Sequence, residues 1–197
     1  MKVKAYNSII SIVIACSLLV TVQARADSAS SREYQVKAAF LYNFINFIDW
    51  PDENDENTDT DKKNPIVIGI LGKNPFGNAF EPIKDKEVKD RKVTVKHFKN
   101  LEELKKIIES STAAQQCHLL YISSSEKENL KNILNLIKDK SILTVGDTEN
   151  FLESGGIINF LMEDNKVCFE INKTAAERAK LKIRSKLLRL AKRVIPE

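Results

Sequence analysis

From Pro65 onward the chain alternates β-branched apolar runs with helical patterns. That alternation constrains the fold most, because it is how a parallel sheet with helices on its faces is built. Ile66 to Leu71 is a continuous apolar run, as expected of a strand buried on both sides. Lys92 to Lys96 instead alternates polar residues with Val93 and Val95, the pattern of an edge strand. Asn100 and Glu103 form a capping pair that predicts a helix with an inner face of Leu101, Leu104, Ile107 and Ile108. His118 to Ile122 is the next strand. Ser125 and Glu128 read as a capping box for a helix burying Leu130, Ile133, Leu134 and Ile137, and Ile142 to Val145 is a fourth strand.

After Gly155-Gly156 the pattern changes: Ile157 to Met162 and Lys166 to Ile171 flank Glu163-Asp164-Asn165 and read as a β-hairpin. Asn172 or Thr174 can cap a terminal helical region with apolar positions at Ala176, Ala179, Leu181, Ile183, Leu187, Leu188, Leu190 and Val194, spaced for one helix or two. Ahead of the alternation, Glu33 to Ile48 carries Val36, Phe40, Leu41, Phe44, Ile45 and Phe47 at helical spacing, and Asp49-Trp50-Pro51 ends it. The expected fold class is α/β: a mostly parallel, three-layer, Rossmann-like sheet with a C-terminal antiparallel hairpin and a terminal helical region.

Residues 1–26 read as a cleaved secretory signal peptide. Lys2 and Lys4 form a basic start, Ile9 to Val22 an apolar core, and Ala24-Arg25-Ala26 the small-residue cleavage pattern. Cys16 follows a lipidation-like approach, yet Leu18, Leu19, Val20 and Val22 continue the apolar run past it. Export to a Gram-negative periplasm is expected, leaving residues 27–197 as a single domain. The whole chain has a formal charge of +4, but losing Lys2, Lys4 and Arg25 brings its 31 basic residues to within one of the 27 acidic ones. Such a balance argues against nucleic acid as a partner. The C-terminal cluster Lys180, Lys182, Arg184, Lys186, Arg189, Lys192 and Arg193 reads as the solvated face of a terminal helix.

Residues 52–64 are polar and acid-rich and predict a mobile surface loop. Asp55, Asn57 and Asp59 have calcium-loop spacing, but Thr60 stands where glycine is required and Ile66 where a bidentate glutamate is required. Gly72-Lys73-Asn74-Pro75-Phe76-Gly77 has P-loop glycine spacing without the Lys-Ser/Thr pair that completes one, so it reads as a turn. His118 adjoins Cys117 in a strand, where neighbours point to opposite faces, which makes it a satisfied core histidine rather than half of a nucleophile-base pair. No serine elbow or His-Glu-x-x-His occurs. The sequence shows no enzyme site, and no cofactor or metal is expected. Cys117 and Cys168 could bridge in an oxidising compartment or stay buried as free thiols.

Several segments together resemble the YfiR-like family of exported bacterial proteins. They are Val36 to Phe44 leading into Trp50-Pro51; Gly69 to Gly72 with Asn74-Pro75-Phe76-Gly77; Cys117 to Ser123; Leu143-Thr144-Val145; Gly155 to Ile158; Phe169 to Asn172; and Leu181 to Ile183 with Leu187 to Ala191. The match runs from about Tyr34 to Ala191. The resemblance implies a non-enzymatic repressor that binds the periplasmic sensor domain of a membrane-bound diguanylate cyclase, or of a sensor kinase. It would hold cyclic-di-GMP output, and with it biofilm formation and motility, in check until envelope or redox stress releases it. A homodimer is compatible with the resemblance. A repressor of this kind must bind the inactive partner conformation more tightly than the active one. By motif match, Glu170 and Ile158 are the implied partner-binding residues. The resemblance implies that a redox-sensing member joins the position of Cys117 to the first sheet strand and closes the segment before the hairpin with a second disulfide. Here Gly69 fills the first partner position and Leu152 to Asn159 holds no cysteine, so that form of control is expected to be absent.

Topology offers an alternative. Loops after parallel strands gather at one edge of a doubly wound sheet, so Asn74, Phe76, Ser123, Ser124 and Asp147 could line a crevice for a small ligand.

Overall fold

The computed structural model describes residues 30–51, 64–83, 86–110 and 117–195. The signal-peptide reading of residues 1–26 and the acidic stretch 52–63, with its rejected calcium spacing, lie outside them. Helix α1 occupies residues 30–46 and leads into the short strand β1, Ile48–Asp49. Strands β2 (Ile66–Leu71), β3 (Glu87–Val88) and β4 (Arg91–Phe98) precede α2 (Leu101–Ser110). Then come β5 (Leu119–Ile122), α3 (Leu130–Ile137), β6 (Leu143–Gly146), β7 (Ile158–Glu163) and β8 (Lys166–Asn172). The C-terminal region is α4 (Lys173–Arg178), β9 (Lys182–Ile183), α5 (Ser185–Leu190) and β10 (Arg193–Ile195).

Eight strands form one sheet in the order β10-β8-β7-β6-β5-β2-β4-β3, and β1 pairs with β9 apart from it. From β4 to β7 the neighbours are parallel, while β7 with β8 and β3 with β4 are antiparallel. The architecture is therefore mixed α/β with a mostly parallel sheet and a C-terminal antiparallel hairpin. Strand periodicity divides the apolar residues between two faces. Ile66, Ile68, Ile70, Leu119, Tyr121, Leu143, Val145, Ile158 and Phe160 face α1 and the C-terminal helices, and Leu71, Phe98, Leu120 and Ile122 face α2 and α3. Three layers follow, because a parallel sheet core is apolar on both sides and each side needs a cover.

Helix α1 supplies the first cover. Phe40 and Phe44 pack on Phe160 and Phe169, a directly opposed pair across the hairpin, with Phe44 at 5.7 Å and 5.0 Å between ring centroids. The helix stops earlier than its apolar spacing suggests. The Phe47 N–H turns back to Phe44 O, and Ile48 pairs with Ile183 of β9, so this residue belongs to a strand rather than the helix. Tertiary pairing with a segment far along the chain overrides local periodicity here.

Local capping chemistry is used with shifts. Asn100 Oδ1 accepts the Glu103 N–H as expected, and Glu103 reaches the Lys99 N–H. At the next helix Ser123, not Ser125, is the cap: its side chain accepts the Ser125 N–H and a 3-10 segment, Ser124–Asn129, precedes α3. Ser125 Oγ accepts the Lys73 N–H instead. The hairpin turn is tighter than the three-residue loop expected. Glu163 pairs with Lys166, leaving Asp164 and Asn165 at φ of 48° and 59°, the left-handed pair of a two-residue hairpin turn. Asn172 caps α4 by accepting the Ala175 N–H. Two short helices replace any single terminal helix, since Lys180 at φ 59° breaks the chain between them. The basic cluster is accordingly not one helix face but is spread over β9, α5, β10 and the segments joining them.

A buried ion cluster pins α1 to the sheet. Lys37, 3% exposed, contacts Glu33 and Asp147 at 2.6 Å each, and Tyr34 donates to Asp147 Oδ2 at 3.2 Å. Burial pulls the Lys37 pKa down, yet Asp147 more than reverses this and holds it above the usual lysine range. Removing one member of a buried pair strands the other charge. Asp147→Asn is expected to cost about 3 kcal/mol in urea unfolding, and the double variant Lys37→Met with Asp147→Leu should recover most of it.

Candidate partner-binding site

The hairpin and β10 place a charged strip at one edge of the sheet. Along β8, Val167, Phe169 and Ile171 turn toward the α1 face, while Cys168, Glu170 and Asn172 turn to the other. β10 joins β8 in parallel, with Arg193 opposite Glu170, Val194 opposite Ile171 and Ile195 opposite Asn172. Arg193 donates bidentately to Glu170, Nε to Oε1 at 2.8 Å and Nη2 to Oε2 at 2.9 Å, and its Nη2 also reaches Glu153 Oε1 at 3.5 Å. The Glu170 carboxylate raises the Arg193 pKa, and Glu153 adds to this. Lys192 pairs with Glu163 near the hairpin turn, and its backbone N–H donates to Phe169 O at 2.9 Å. Three carboxylates, Glu153, Glu163 and Glu170, thus meet two cations from the chain end.

Of the two residues implied as partner contacts, Glu170 stands on this strip with its side chain 18% exposed. Ile158 is different: it is fully buried, facing α1 between Val145 and Ile171, and belongs to the core. A residue opening the hairpin directly after a central parallel strand has both neighbours packed over it, so Ile158 touches no partner in this conformation. Lys192 and Arg193 were read only as members of a solvated cluster. Their pairing with the hairpin depends on β10 returning to β8, which no local pattern encodes.

Most of the crevice residues are engaged within the fold. Asn74 Oδ1 accepts the Phe76 N–H at 2.9 Å, and Phe76 is 3% exposed, edge-on to Tyr121 at 4.8 Å. Ser123 is a buried cap, Ser124 opens the 3-10 segment, and Asp147 is tied to Lys37. At the switch point between β2 and β5 the loops touch. Gly72 has φ of 86°, and a Cβ added there would lie 2.5 Å from Ser125 Oγ. Of the five crevice residues, Phe76 and Ser123 are therefore buried within the fold and Asp147 is nearly so, while Asn74 and Ser124 stay exposed. A small open depression lies elsewhere, between α3, β6 and α4, and none of the five crevice residues lines it. Beside Asp147, Tyr121 Oη and Asp147 Oδ1 are buried without a hydrogen-bond partner among the described residues. Burial and then the Asp147 charge push the Tyr121 hydroxyl pKa up.

His118 is a core residue, as read from the sequence. Its Nδ1 lies 3.2 Å from the Val67 N–H and its Nε2 2.9 Å from Arg91, with the Trp50 ring edge-on. His97 contacts Gly72 O. Among the described residues no group of three or more His, Cys, Asp or Glu could hold a metal.

Cys117 and Cys168 are not bridged. Cys117 faces the α2 and α3 layer just ahead of β5, Cys168 lies in β8, and β6 and β7 stand between those strands. Burial pushes the Cys117 pKa up to about 12. Gly69 does stand beside it, since a Cβ there would be 2.9 Å from Cys117 Sγ.

The family model described as YfiR/HmsC-like matches residues 34–192. The chain belongs to the YfiR/HmsC-like family. That family is known for periplasmic regulators of diguanylate cyclase signalling, a regulatory rather than catalytic role. A solved structure, the conserved domain protein from Vibrio cholerae O1 biovar El Tor strain N16961, is 13% identical with a TM-score of 0.44. The similarity covers 66% of this chain and 54% of that one, so this chain spans about half the length of that relative. No curated protein matches. This YfiR/HmsC-like chain has no helix among its described residues long and apolar enough to cross a membrane.

Thiol burial gives a direct check. In the folded mature chain at pH 8, iodoacetamide should modify Cys168 and spare Cys117, with a second adduct appearing by mass spectrometry only in urea.

Proposed function

We propose that this YfiR/HmsC-like protein restrains a membrane-bound diguanylate cyclase by binding its periplasmic sensor domain at the edge formed by β8 and β10. The observation that carries the reading is Glu170. The family motif supplies this carboxylate, and the fold sets it on the outer strand of the hairpin, partly open to solvent, in a strip of three carboxylates. At the switch-point crevice, by contrast, Phe76 and Asp147 are engaged by Tyr121 and Lys37. Regulation then follows from differential binding. The protein favours the inactive cyclase by as much as its affinity for that state exceeds its affinity for the active one. No bond is made or broken.

Capture on the immobilised mature chain from detergent-solubilised membranes, with mass spectrometric identification, should yield a diguanylate cyclase. Glu170→Lys should fold, with a melting temperature within a few degrees of the parent, and lose that capture at least tenfold. Undiminished capture removes Glu170 from the site. Capture of a sensor kinase in place of a cyclase changes the partner, and capture of neither removes the reading.

A further inference from the structure

The Glu170 surface is already occupied by this chain's own C-terminal strand. We propose that β10 holds in the unbound protein the edge of β8 that an extended, basic segment of the cyclase sensor domain takes over on binding. This rests on the partner-binding reading above.

Three features of β10 support displacement. It covers only Glu170 to Asn172 of the seven-residue β8, so along Lys166 to Cys168 that side has no strand neighbour among the described residues. It is three residues long and none of them is fully buried. Its ties to Glu170 and Glu153 through Arg193, like that of the preceding Lys192 to Glu163, are ion pairs exposed on the cationic side, and such pairs hold little against water. A short edge strand held this way is readily exchanged for a longer one that satisfies the same backbone groups.

β10 also describes its replacement. Lys192 and Arg193 answer the three carboxylates, and Val194 and Ile195 continue along β8. When β10 leaves, Glu153 and Glu170 lose Arg193 and Glu163 loses Lys192, so the strip is acidic around Glu170, with Lys166 as the cation opposite Glu163. An incoming strand therefore needs a Lys or Arg opposite Glu170 and apolar residues after it.

The two halves of one ion pair then act in opposite directions. Binding of the full mature chain to the periplasmic domain of the captured cyclase should tighten roughly threefold to fivefold for Arg193→Ala, since a competitor is weakened, and fall at least tenfold for Glu170→Lys. A pair that merely stabilised the fold would weaken binding from either side. Hydrogen exchange supplies the second readout: in the complex the Ile195 amide, which faces β8 beside Ile171, should lose protection while the Ile171 amide keeps it. Unchanged or weaker binding by Arg193→Ala, or an Ile195 amide that stays protected in the complex, overturns the strand exchange. Failure of the parent chain to bind any cyclase domain instead removes the reading beneath it.

Discussion

The packing of α1 across one face of the sheet is the constraint on which the rest of the molecule depends. A mostly parallel sheet is apolar on both sides, and here α2 and α3 cover only one of them. α1 closes the other by laying Phe40 and Phe44 over Phe160 and Phe169, which joins the first described element to the last hairpin. Lys37 reinforces the contact one turn earlier. Its ion pairs with Glu33 and Asp147 satisfy a charge that could not be buried alone, and so they fix how α1 sits as well as that it sits there.

The same packing decides where function can lie. At the end of the sheet where α/β proteins commonly hold ligands, Phe76 packs on Tyr121, Asp147 is tied to Lys37 of α1, and the Lys73 N–H donates to Ser125. The hairpin is held firmly on its α1 face and lightly at its outer edge, where a three-residue strand is the last neighbour. On the proposed reading, binding by this edge rather than by a pocket suits a regulator whose partner is another folded domain. Such a regulator needs differential affinity for two conformations, not chemistry.

Much of this was legible in the residues. Ile66–Leu71 is a continuous apolar run because it has helices on both sides, and Val93 and Val95 alternate because β4 lies near an edge. The alternation of patterns gave the three layers, and the ordered motifs gave the family. What was misplaced shares a cause. Ile48 leaves the helix because Ile183 pairs with it, and Ser125 gives up its cap because Lys73 reaches it. Ile158 is buried because Val145 and Ile171 lie on either side of it. In each case the deciding partner is distant in the chain.

The sequence by itself determined the succession of the longer strands and helices from β2 to β8, the hairpin and the family, since each is carried by local spacing or by motifs in order, while the short strands β1, β3, β9 and β10 were not legible in it. Only the tertiary structure decided that Cys117 and Cys168 stay apart, that Asp147 is taken by Lys37, and that Arg193 returns to Glu170. Those outcomes depend on which strands become neighbours. Neighbour choice is set by burying both faces of the sheet at once, a condition on the whole chain that no short window can express.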